Sequence, residues 1–120
     1  MKKKIISFIQ KSVLLLFLLF SFGSMYGQVD VNPGAGKYAD LASAFAAINA
    51  GTHTGAVTVD IVGNTSEPAG GAVLNASGVG AASYTTILIQ PSGGMARTIT
   101  GAATAGSPLI DFVGADNVTI

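Results

Sequence analysis

One histidine, a few carboxylates and one arginine are the residues of this chain best suited to chemistry. His53, in T-H-T-G, is of a type that serves as general base or metal ligand. Either role needs partners. The chain has no cysteine, and no Asp or Glu lies within three residues of His53, so it reads as a solvated turn residue. Asp60 in A-V-T-V-D-I-V, Asp111 in P-L-I-D-F-V and Asp116 in G-A-D-N could supply paired acids. Glycoside hydrolysis uses carboxyl pairs roughly 5 to 10 Å apart, and clustered oxygens bind Ca²⁺. Asp60 alternates with Val59 and Ile61, however, and should point outward from its strand. Nothing in the sequence sets it beside Asp111. Solvated or turn-stabilising roles are expected instead.

Arg97, in G-M-A-R-T-I-T-G, has no acidic neighbour and reads as an outward strand residue paired with an acid or with solvent. P-S-G-G-M (91–95) lacks the spacing of a phosphate-cradling loop and no helix is expected after it, so it reads as a turn. Asn64, Asn75 and Asn117 each begin an Asn-X-Ser/Thr triplet, but short triplets recur by chance. Turn formation through side-chain hydrogen bonds is the expected role. No catalytic, cofactor-binding or metal-binding residue is assigned.

The elements that position these residues follow from periodicity. Q-V-D-V-N-P-G-A-G (28–36) is an extended leader with a turn at Pro33-Gly34. Leu41, Ala44, Phe45 and Ile48 then recur on one helical face, with Asp40 as N-cap and Gly51 as exit, which predicts a helix over 41–50. From Val57 the period falls to two, with Val57, Val59 and Ile61 on one face. G-N-T-S-E-P-A-G-G reads as a long turn. Further strands are predicted at 72–76, 83–90, 96–100, 108–113 and 117–120. Ile89 to Ile110 and Ile99 to Ile120 are both 21-residue intervals, within the range of solenoid coils holding two or three short strands. In such a solenoid each strand pairs in parallel with its equivalent one coil away. The helix would cap the first coil.

Composition supports that architecture. Residues 1–27 carry Lys2, Lys3, Lys4 and Lys11 before an unbroken apolar run, Val13–Phe20, and then small and polar residues. That is the pattern of a cleaved secretory signal. Removal after Gly27, preferred to removal after Gly23, leaves Gln28 as the new N-terminus. The run is too short to cross about 30 Å of hydrocarbon, and no cysteine is available for a lipid anchor. The remainder keeps two cations, Lys37 and Arg97, against six carboxylates, a net charge of −4. Two cations sixty positions apart cannot form the patch that nucleic acid requires. Its aromatics are only Tyr38, Phe45, Tyr84 and Phe112, and no disulfide can offset so thin a core. Stacked repeating units tolerate such a composition. A compact antiparallel β-sandwich is the alternative.

G-K-Y-A-D-L-A-S-A-F-A-A-I-N-A-G, A-V-T-V-D-I-V-G-N, T-I-L-I-Q-P-S-G-G-M-A-R-T-I-T-G and I-D-F-V-G-A-D-N-V-T-I resemble the N-terminal part of large secreted right-handed parallel β-helix proteins of Bacteroidetes-like bacteria. These belong to the pectin-lyase-like superfamily and often carry a type IX secretion sorting domain. The resemblance spans nearly all of 28–120 and implies a mainly β fold, the start of a right-handed parallel β-helix with one N-terminal capping helix. It divides the chain into a signal (1–27), a leader (28–36) and a cap helix with first coils (37–120). Further coils would follow N-V-T-I, so the chain is expected to be a fragment. The resemblance also implies a secreted or outer-surface location, and a structural or adhesin-like role with polysaccharide or surface glycan as partner. The alternative it leaves open is the start of a polysaccharide lyase or glycoside hydrolase whose catalytic residues lie beyond Ile120. Some β-helix lyases use a basic residue on an outer strand to stabilise an anion, the role Arg97 would take in that case.

Overall fold

In the computed structural model the described residues are 27–120, so the expected export signal lies outside them but for Gly27. The described residues are mainly β with one α-helix. Its elements are β1 (Val29–Asn32), β2 (Gly36–Tyr38), α1 (Leu41–Asn49), β3 (Gly55–Ile61), β4 (Thr65–Glu67), β5 (Ala72–Asn75), β6 (Tyr84–Pro91), β7 (Ile99–Gly101), β8 (Ile110–Val113) and β9 (Val118–Thr119).

The strands pair by set. β3, β4 and β5 follow one another in the chain, and β6, β7 and β8 repeat that order. Each strand of the second set lies parallel to its counterpart, with Val57 opposite Ile87, Thr65 opposite Ile99 and Ala72 opposite Ile110. β9 then lies parallel to β6, with Val118 opposite Ile87. The only antiparallel ladders between these strands join β1 to β2 and to β3. An antiparallel sandwich is therefore not what the chain builds. The 21-residue intervals do not mark paired strands either. Ile89 and Ile110 lie in β6 and β8, which belong to different sheets, while the partners in the ladders that join the two sets lie 29 to 38 positions apart. Isoleucine recurrence misses the true offset because the connecting loops differ in length.

The extended leader is extended, and it is built into the largest sheet, whose order is β2-β1-β3-β6-β9. Val29 and Val31 are fully buried beside Val57, Val59 and Ile61. Period-two alternation thus fills one face of the sheet and leaves Asp30, Thr58 and Asp60 on the other. β4 is the strand that the sequence reads as a turn. Its inward residues are polar, Thr65 and Glu67, yet both are buried. No hydrophobic alternation exists there to be read.

α1 forms where predicted. Asp40 accepts a 2.7 Å hydrogen bond from the Ser43 N–H, and Leu41, Ala44, Phe45 and Ile48 are fully buried. Gly51 ends it with a left-handed φ of 75°, a conformation costly for a residue with a Cβ. The buried stripe packs on β5, and Phe45 reaches Phe112 of β8 with ring centroids 6.2 Å apart. Burial is complete around α1, β1 and β3 and falls to partial at Ile99, Ile110, Phe112 and Val118. The core therefore thins from the helical end toward β9.

Candidate functional site

Three polar clusters and one apolar groove hold the residues with chemical capacity. The first cluster surrounds Glu67, which is 5% exposed. Its carboxylate accepts from Leu41 N–H at 3.1 Å, Ala42 N–H at 2.7 Å and the Thr65 hydroxyl at 2.8 Å. With Asp40 on Ser43 N–H, the first three amides of α1 are all satisfied by carboxylates. A helix N-terminus leaves these donors unpaired and carries partial positive charge, so the arrangement is doubly favourable. It also uses up the N-terminus of α1, the end of the helix that could have held an external anion. At the other end of α1, the Asn49 side chain donates to Val73 C=O and accepts from Asn75 N–H, both at 2.9 Å. An amide side chain thereby acts as a rung on the free edge of β5.

The second cluster is centred on His53, which is 1% exposed and not the solvated turn residue expected from its sequence context. Nδ1 lies 2.6 Å from the Pro33 carbonyl, and Nε2 lies 2.7 Å from the Tyr38 hydroxyl. A carbonyl only accepts, so Nδ1 carries the proton and donates; in the neutral ring Nε2 accepts from Tyr38. Tyr38 also meets the imidazole edge-on, with the ring planes at 87°. Gly36 is required by this packing. A Cβ there would stand 2.6 Å from His53 Nε2. The histidine pins the β1–β2 hairpin to the loop after α1, a structural role in place of a catalytic one. The signal that could have shown it is the glycine-rich G-A-G-K-Y turn, which makes room for a ring.

The third cluster is the outward row Lys37, Asp30, Asp60 and Gln90, in ladder register across β2, β1, β3 and β6. Lys37 Nζ lies 2.9 Å from Asp30, and Gln90 Nε2 donates to Asp60 at 2.9 Å. Asp60 points outward as its alternation predicts. Asp111 belongs to β8 in another sheet, so no ladder brings the two together. Asp116 lies near Tyr84, which is buried and donates its hydroxyl to Asn75 C=O at 2.6 Å. Burial pushes the Tyr84 phenol above its usual 10.0, Asp116 pushes it further, and the Ser77 backbone opposes both. The unfolded phenol ionises first, so the stabilisation is fully present below pH 10 and is lost as pH rises through the folded value. Denaturant midpoints of the wild type should therefore fall above pH 10, and the fall should be shallower in Tyr84→Phe. Equal slopes would show that Tyr84 is not the responsible group.

Arg97 departs from expectation. It precedes β7 in irregular chain, is only half exposed, and its Nε is buried without a hydrogen-bond acceptor. It lines a groove of about 330 Å³ with Ile61, Ile89, Gln90, Ile99 and Ile120. P-S-G-G-M is a turn, as predicted, containing one 3₁₀ turn at Ser92–Gly94. Of the three asparagines, Asn64 uses its side chain as expected and accepts from Thr98 N–H at 3.0 Å. Asn75 works through its backbone, and Asn117 supplies a left-handed φ of 56° before β9. Among the described residues no three His, Cys, Asp or Glu side chains converge as a metal site. No protein-family model, curated protein or solved structure matches this chain.

Proposed function

We propose that residues 28–120 form the capped N-terminal coils of a right-handed parallel β-helix. In this reading the chain is an exported, structural or adhesin-like module that meets glycans on its lateral face. The strand sets support the solenoid, since β6, β7 and β8 repeat β3, β4 and β5 in parallel register. Three devices close the first edge: β1 pairs along β3, Asn49 bonds the edge of β5, and Glu67 ties β4 to the start of α1. Capping of this kind is what a stacked-repeat protein needs at its end.

The observation that carries the glycan reading is the outer face of the large sheet. Two rows run across it: Lys37, Asp30, Asp60 and Gln90, then Asn32, Thr58, Leu88 and Thr119. Neighbouring strands set these groups about 4.8 Å apart, a regular array of donors and acceptors for sugar hydroxyls. Leu88, 37% exposed, offers an apolar spot for a ring face. A panel of immobilised polysaccharides should retain the purified chain without releasing reducing sugar or unsaturated product. The double variant Asp60→Ala, Gln90→Ala should weaken retention about tenfold or more, equivalent to about 1.4 kcal/mol. Released product would replace the binding reading with an enzymatic one, and unchanged retention in the double variant would move the contact off this face.

A further inference from the structure

The outward face of the large sheet turns its long donors onto its own carboxylates. Lys37 Nζ donates to both oxygens of Asp30, at 2.9 and 3.1 Å, and Gln90 Nε2 donates to Asp60 Oδ1 at 2.9 Å. A carboxylate only accepts, so this contact sets the Gln90 amide with its N–H₂ toward Asp60 and its carbonyl away from it. Asp60 Oδ2 takes no hydrogen bond among the described residues. Asp30 and Asp60 stand directly opposite each other in the β1–β3 ladder, and only Asp30 has a cation beside it. The row therefore holds one cation against two carboxylates, with acceptors left facing out. In the next row Thr58 and Thr119 add hydroxyls and Leu88 an apolar spot, but no charge. Arg97, the other described cation, borders the groove with Ile61 and Ile89, whose side chains fill the opposite face, and its Nε is buried.

We propose, resting on the glycan reading of this face, that the polysaccharide it takes is neutral and binds as a donor of hydroxyl hydrogens. Asp60 is the central contact. A pyranose presents neighbouring hydroxyls side by side, and a carboxylate can accept from both at once. Hydrogen bonds to an ionised acceptor are about twice as strong as neutral ones. A uronate or sulfated chain meets the opposite situation. It brings acceptors and negative charge to a surface of the same kind, and like charges brought together suppress a partner. The whole of 28–120 adds to this repulsion, with two cations against six carboxylates, a net charge of −4. Lys37 cannot reverse it without leaving Asp30. A cationic chain gains little either, because Asp60 is the only carboxylate of the row without a cation beside it. Charge and donor sense together select a neutral chain.

Affinity electrophoresis of the full chain, purified after export, tests the class against five polymers. Mixed-linkage glucan and mannan are neutral, polygalacturonate and dextran sulfate acidic, and chitosan cationic. At least one neutral polymer should retard the chain, and retention on the same polymer as a column should persist at about 1 M salt, where charges are screened beyond about 3 Å. The acidic polymers should not retain it even at low salt. Asp60→Asn keeps the size of the side chain but replaces an acceptor oxygen with a donor, and should weaken neutral retention about tenfold. Its far-ultraviolet circular dichroism spectrum should be unchanged, since the side chain faces outward. Retention by an acidic polymer, above all one that Arg97→Ala abolishes, would overturn the neutral class and leave glycan binding standing. Retention by chitosan alone, lost in salt, would do the same. Neutral retention indifferent to Asp60→Asn would remove Asp60 as the contact and overturn the proposal. Retention by none of the five would remove the glycan reading itself, and this inference with it.

Discussion

Glu67→Ala should destabilise the chain by about 3 kcal/mol, since each buried polar group left without a partner costs roughly 1–3 kcal/mol. The carboxylate serves Leu41 N–H, Ala42 N–H and the Thr65 hydroxyl at once. Alanine removes every one of these acceptors and cannot admit water without opening the packing of α1. The variant also removes negative charge from the positive end of the helix. For a domain near this size the loss corresponds to a drop in Tm of roughly 15 °C. Glu67→Gln keeps one carbonyl acceptor but turns an amide N–H₂ toward an N–H donor, so about half the loss is expected. Asp40→Ala removes an exposed cap bond to Ser43 alone and should cost about 1 kcal/mol. Urea denaturation of the three variants gives the order directly. If Glu67→Ala costs no more than Asp40→Ala, Glu67 is not the tie between β4 and α1.

Glu67 also shows where the sequence stops being legible. The helix could be read because Leu41, Ala44, Phe45 and Ile48 repeat at 3.6 residues and Asp40 sits at the cap. β3 could be read because its apolar residues alternate. β4 could not. Glu67 is held by Leu41 and Ala42, 26 and 25 positions earlier at the start of α1, Thr65 is held by Glu67, and only the folded chain brings these together. His53 is the same case. Its local sequence is a polar turn, and its burial depends on Tyr38 and Pro33, which belong to the hairpin. A-R-T-I-T reads as a strand, but pairing with β4 begins only at Ile99, opposite Thr65, which leaves Arg97 in the irregular chain before β7. The parallel architecture was legible from the thin core and short strands. The offset between paired strands was not, because loops of unequal length blur the recurrence of any one residue type.

Phe45→Ala should cost about 4 kcal/mol, within the range for deleting a fully buried phenylalanine. Phe45 has no exposed surface and is the largest fully buried side chain among the described residues. It lies on α1 and meets Phe112 on β8 at 6.2 Å with the planes tilted by 49°, so it joins α1 to the second strand set as well as the first. The effect should exceed a local cavity. α1 has nine residues, shorter than the roughly 12–15 at which isolated helices become even marginal in water. It persists only while its buried stripe is docked. Losing Phe45 should loosen the whole helix, and with it the Asn49 bonds that cover the edge of β5. Amide exchange in the variant should therefore accelerate across 44–50 and at Asn75 together, while β3 and β6 keep their protection. Phe112→Ala alone should cost less, because Phe112 is only partly buried. The double variant should fall short of the sum by about 0.5–1.5 kcal/mol, the coupling expected of an aromatic pair. Strict additivity would mean that the rings do not interact. A loss confined to Phe45 itself, with Asn75 still protected, would mean that the edge of β5 is held by something other than the docked helix.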